Sequence, residues 1–112
     1  MRYAIPVTGG RLATHFGHCE EFALFDVDEG TGEIVAREVV PSPGHQPGFL
    51  PGWLADHGAS AILAGGMGPR AVGLFEENRV EVILGAPEGE PEEVLRAHLA
   101  GTLALGENVC DH

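Results

Sequence analysis

Two short apolar runs, Ala61 to Ala64 and Val80 to Leu84, are each followed by a stretch with helical spacing, and this alternation constrains the fold more than any other feature of the chain. Pro69 opens the first helical stretch, 69–78, with a residue suited to a first turn. Pro91 opens the second, 91–100, where Glu92 and Glu93 sit near the positive end of the helix dipole. The two apolar runs read as buried strands. Strands joined by a crossover helix pair in parallel, so residues 61–100 predict a β-α-β-α unit.

The preceding sixty residues read differently. Tyr3 to Val7 is a short apolar strand, and Gly9-Gly10 breaks it. Glu21 to Val27 and Ile34 to Val40 flank the turn sequence Asp28-Glu29-Gly30-Thr31-Gly32, which predicts an antiparallel hairpin. Pro41, Pro43, Gly44, Pro47, Gly48, Pro51 and Gly52 forbid a strand and predict a loop that tips into a helix near Pro51. The stripe Phe49, Leu50, Trp53, Leu54 then ends at Gly58, a residue type that tolerates a left-handed helix end. The expected architecture is a single α/β domain over 1–112, in two or three layers, with a hairpin added to one edge of a parallel core. Residues 106–112 are expected to form a flexible tail.

A chain of 112 residues with 44% hydrophobic content can bury about 65% of its unfolded surface without staples. Its formal charge of −11, from 17 acids against six bases, repels phosphate backbones and anionic membrane surfaces. The opening Met1 to Val7 has too short an apolar stretch for a signal peptide, and no run reaches the length of a membrane span, so a cytoplasmic, non-membrane protein is expected. A Cys19–Cys110 disulfide would be unusual in that compartment.

The chemistry concentrates at His15-Phe16-Gly17-His18-Cys19. Thiolate and neutral imidazole suit Cu(I), zinc or an iron-sulfur centre better than magnesium or calcium. His15, His18 and Cys19 stand at i, i+3 and i+4, a spacing that allows one common ligand, with Gly17 permitting a bend. The bland alternative is that one His caps a strand end, the other is solvated, and Cys19 packs as a small apolar side chain. Cys110 and His112 form a second candidate pair and His45 a weaker single ligand, whereas His57 and His98 fall in helical patterns and read as structural or solvated. Asp28 reads as a turn residue, and Glu20, Glu21 and Asp26 as solvated strand positions.

The second constellation is Gly65-Gly66-Met67-Gly68, between a strand and a helix, where backbone N–H groups and the helix dipole could cradle an anionic group. Gly66-x-Gly68-x-x-Ala71 also fits a loose dinucleotide fingerprint, with Glu88 or Glu90 about twenty residues on, and equally a tight packing turn. A nucleotide-binding regulatory domain and a Cys19-dependent redox enzyme are therefore the alternatives to a metal-cluster protein.

Taken in order, Ala4-Ile5-Pro6-Val7, the His15 to Cys19 box, the Pro/Gly loop with His45, Ala61 to Gly68 and Cys110-Asp111-His112 resemble the dinitrogenase iron-molybdenum cofactor biosynthesis family over nearly the whole chain. The resemblance implies a ribonuclease-H-like fold with a mixed five-stranded sheet: an antiparallel meander, then β-α-β-α. It implies a non-enzymatic, monomeric carrier of a metal-sulfur cluster or molybdenum-containing cofactor precursor, with iron or copper as companion metals. Cluster-assembly or acceptor proteins would be its partners. Many relatives have several histidines where this chain has only His45 within Gly44 to Gly48.

Overall fold

The structure, a computed structural model, describes residues 1–13, 16, 19–44 and 48–103. Its elements are β1 (Arg2–Thr8), β2 (Arg11–Leu12), β3 (Glu21–Val27), β4 (Ile34–Pro41), α1 (Leu50–Asp56), β5 (Ala61–Leu63), α2 (Pro69–Glu77), β6 (Glu81–Ile83) and α3 (Pro91–Leu99). The mixed sheet runs β4-β3-β1-β5-β6, with β2 paired to β1 off that path. β1, β3 and β4 form an antiparallel meander, whereas β1, β5 and β6 run parallel. The expected hairpin at one edge of a parallel core is therefore present.

Strand alternation splits the core between the two faces of the sheet. Ala4, Phe22, Leu24 and Ile62 pack with Leu50 and Leu54 of α1 and Phe75 of α2. On the other face Tyr3, Ile5, Phe25 and Leu63 pack with Val94 and Leu95 of α3. The result is three layers, helices on both faces of one sheet.

Two expectations are corrected. Among the described residues the sheet has six strands where the family resemblance implied five, because Gly9 and Gly10, at φ 61° and 78°, make a two-residue turn that lays β2 back on β1, with Val7 opposite Leu12 and Thr8 opposite Arg11. Positive φ at both central residues is what such a hairpin turn needs. The run Val80 to Leu84 is not a fully buried strand. β6 lies at the sheet edge, Glu81 is exposed, Val82 and Ile83 are half-buried, and only Val80 in front of it is fully enclosed.

The helix signals are met closely. α1 ends where expected, with Gly58 at φ 83° and its N–H on the carbonyl of Ala55. α3 begins at Pro91, and the Glu90 carboxylate accepts the N–H of Glu93 as its cap. Glu92 bridges to Arg37 of β4 and to Arg96, tying the edge strand to α3.

Asp26 is not simply a solvated strand position. Arg2 grips its carboxylate from Nε at 2.8 Å and Nη2 at 3.0 Å and also donates to the carbonyl of His57, joining β1, β3 and the end of α1. The guanidinium hydrogen bond holds the Asp26 carboxyl below its ordinary value. A carboxyl depressed on folding contributes stability that is present above the unfolded-state pKa of about 3.9 and lost as pH falls through the lower folded value. Asp26→Asn should therefore cost about 1 kcal/mol at pH 7, a modest figure because solvent screens this pair. Denaturant titration at pH 2 should find wild type and variant much closer together.

Candidate metal-cluster site

β1 and β5 are adjacent and parallel, so their carboxyl ends open on the same side of the sheet, the side on which ligands of open α/β sheets bind. The segment between β2 and β3 carries the His/Cys box, and the segment after β5 is the glycine turn. A direct bond joins them: the N–H of Phe16 donates to the carbonyl of Gly66 at 3.3 Å. The Phe16 ring is buried, tilted against Phe22 with ring centres 5.9 Å apart and edge-on to Phe75 at 5.2 Å. An apolar residue inside an otherwise polar motif was the signal for this anchor, and reading the box for ligands alone overlooks it.

Cys19, a free thiol, belongs to the same core cluster as Phe16, Phe22, Met67 and Phe75 and is 9% exposed. Burial pushes its pKa up to about 11; hydrogen bonding by the Ser42 side chain and by backbone at Cys19 and Val7 works the other way and is outweighed. Phe16 and Cys19 thus both pack into the core, Cys19 as the bland alternative has it. A thiol held neutral at pH 7 is also the opposite of an activated nucleophile. In metal-free protein at pH 8, Cys19 should resist iodoacetamide and react readily only after denaturation, as peptide mapping by mass spectrometry would show. Rapid labelling of the folded chain would contradict this environment.

Gly65, Gly66 and Met67 are buried at the end of β5, and Gly68 is half-buried at the start of α2. The turn is laced to the loop after β6: Gly85 donates to the carbonyl of Gly65, and Ala86 to that of Ala64. Gly68, at φ −69° and ψ 154°, has a conformation open to any residue, so its dihedral angles do not call for glycine. Pro69 at the first helical position brings no N–H to the cradle. Of the two acidic partners that the loose dinucleotide fingerprint allowed, Glu88 and Glu90, the Glu90 side chain is already engaged as the cap of α3.

His15, His18, His45, Cys110 and His112 lie outside the described residues, as does the 106–112 tail. Among the described residues no three His, Cys, Asp or Glu side chains form a group able to hold a metal ion. His57 stacks on Trp53, ring centres 4.2 Å apart, with its Nδ1 2.8 Å from the Trp53 carbonyl oxygen, and His98 meets Tyr3 edge-on at 5.7 Å. Both serve structure. Among the described residues no helix is long and apolar enough to cross a membrane.

The family model described as dinitrogenase iron-molybdenum cofactor matches residues 1–101. The chain belongs to this family. The uncharacterized protein MJ0580 of Methanocaldococcus jannaschii is similar at 30% identity over 108 residues, covering 92% of this chain and 89% of that protein. The crystal structure of PH0822 has the same fold with a TM-score of 0.85 at 31% identity, covering 94% of each chain. The apo form of the orange protein from Desulfovibrio gigas matches with a TM-score of 0.74 over 96% of this chain and 93% of that one, and at 23% identity the likeness is one of fold. Membership in the dinitrogenase iron-molybdenum cofactor family ties the chain to a cofactor-related role.

Proposed function

We propose that this protein binds a metal-sulfur cluster or a molybdenum-containing cofactor precursor as cargo and delivers it to an acceptor protein, in iron-molybdenum cofactor assembly or related metal-cluster metabolism. The observation that carries this reading is the bond from Phe16, a residue of the His/Cys box, to Gly66 of the glycine turn, in a chain of this family. His15, His18 and Cys19 are the proposed primary ligands, Cys110 and His112 a second pair, and His45 a lesser one. Gly65, Gly66, Met67 and Gly68 form the cradle. Iron or copper beside molybdenum fits this soft donor set. Ligation by Cys19 requires its raised thiol to give up a proton, so cargo binding strengthens with pH.

The role is that of a carrier and not an enzyme. The ribonuclease-H-like topology implied by the family does not bring nuclease chemistry, since β1 carries no carboxylate to help hold divalent metal. An acidic, monomeric, cytoplasmic carrier with no nucleic-acid or membrane partner fits the charge of −11. Calorimetric titration with molybdate, tetrathiomolybdate and NAD tests the reading. Heat from tetrathiomolybdate, weakened in a folded Gly68→Val protein whose added methyls fill the cradle, supports it. Tight NAD binding without a metal-anion response would replace it with the nucleotide reading.

A further inference from the structure

We infer that Phe16 is the positioning residue of the box: its side chain fixes the ligand-bearing segment to the core, so that site assembly is linked to packing under α2. This rests on the cargo-binding reading above. Two points of the segment are held. At Phe16 the ring is enclosed between Phe22 of β3 and Phe75 of α2 while the N–H is bound to Gly66 of the cradle. At Cys19 the side chain is buried in the same cluster, and the next residue, Glu20, donates its N–H to the carbonyl of Val7 at 3.0 Å. His15 is bonded directly to the first held residue and His18 to the second. Both candidate imidazoles are thus next in sequence to backbone that the core has fixed, and backbone fixed beforehand lowers the ordering cost of binding. Phe75 carries the coupling further, because the helix that supplies it begins directly after Gly68. A change in packing around this ring would reach the box and the cradle together.

The test uses the full chain stripped of metal and titrated calorimetrically with Zn2+ alone, beside urea unfolding of each metal-free protein. Phe16→Ala removes the anchor. Phe16→Leu keeps most of its apolar volume and carries the test should the alanine protein not fold. Leu95→Ala is the control, since Leu95 is fully buried on the opposite face of the sheet and its loss weakens the fold without touching the box. Zn2+ affinity should fall about tenfold to a hundredfold in Phe16→Ala, as for other residues that orient metal ligands, and by less in Phe16→Leu. It should hold at the wild-type value in Leu95→Ala. Wild-type affinity in folded Phe16→Ala, or in Phe16→Leu where only that variant folds, overturns the inference while the cargo reading stands. An equal loss in Leu95→Ala reduces Phe16 to general stability and overturns it as well. A wild-type protein that binds no Zn2+ overturns this inference, which needs a ligand set already competent in the metal-free chain, while the cargo reading is decided separately by tetrathiomolybdate.

Discussion

A protein carrying His15→Ala, His18→Ala and Cys19→Ser together should lose its bound metal or reconstituted cluster almost completely while keeping its secondary structure. Each removed group is a soft or borderline donor, and the second pair, Cys110 and His112, leaves the site three donors short. The single variants should differ in character. His15→Ala and His18→Ala should weaken binding with little effect on stability. Cys19→Ser alters the core cluster as well, because it sets a hydroxyl where a buried thiol packs beside Ser42. Its cost of about 1 kcal/mol makes a stability measurement part of the experiment. Metal analysis after reconstitution, beside far-UV circular dichroism, reads both effects. Undiminished metal in the triple variant would remove these residues from the ligand set.

Phe22→Ala should have the largest effect on folding. The side chain is fully buried, and it touches Phe16 at a ring separation of 5.9 Å and Trp53 at 5.7 Å, so it joins the box to α1 across β3. Emptying such a position typically costs about 3 to 5 kcal/mol, against a total stability of about 5 to 15 for a domain. The urea midpoint should drop steeply. Val39→Ala on the edge strand β4 should shift it by no more than about 0.5 kcal/mol, since Val39 is 57% exposed. Similar shifts for the two variants would mean that the core is not centred where the packing of Phe16, Phe22 and Phe75 places it.

Local signals were strong where the chain obeys local rules. The turn sequence Asp28 to Gly32 between its two flanking strands, the prolines opening α2 and α3, and Gly58 closing α1 each act through neighbouring residues, and the elements follow them. Features that depend on distant partners were not readable in the same way. Asp26 looked solvated because Arg2, its partner, is 24 residues away in sequence. For Cys19 the ligand and packed readings stayed open, because the rings that bury its surroundings come from β3 and α2. β2 was missed for a different reason. Gly9-Gly10 is a hairpin signature as well as a strand breaker, but the strand it returns is only two residues long and shows no periodicity. At the candidate site, the sequence supplied the donor types and the glycine turn. The contact between them, through Phe16 and Gly66, required the fold.

The most direct test of the cargo reading is elemental analysis of wild-type protein purified without oxygen from cells supplied with molybdate, iron and copper. The account predicts molybdenum, alone or with iron or copper, at a fixed ratio to protein, together with acid-labile sulfide, and its absence from the triple variant prepared in parallel. Protein that emerges folded but free of metal and sulfide, and that takes up neither when offered tetrathiomolybdate with copper or iron salts, would contradict it.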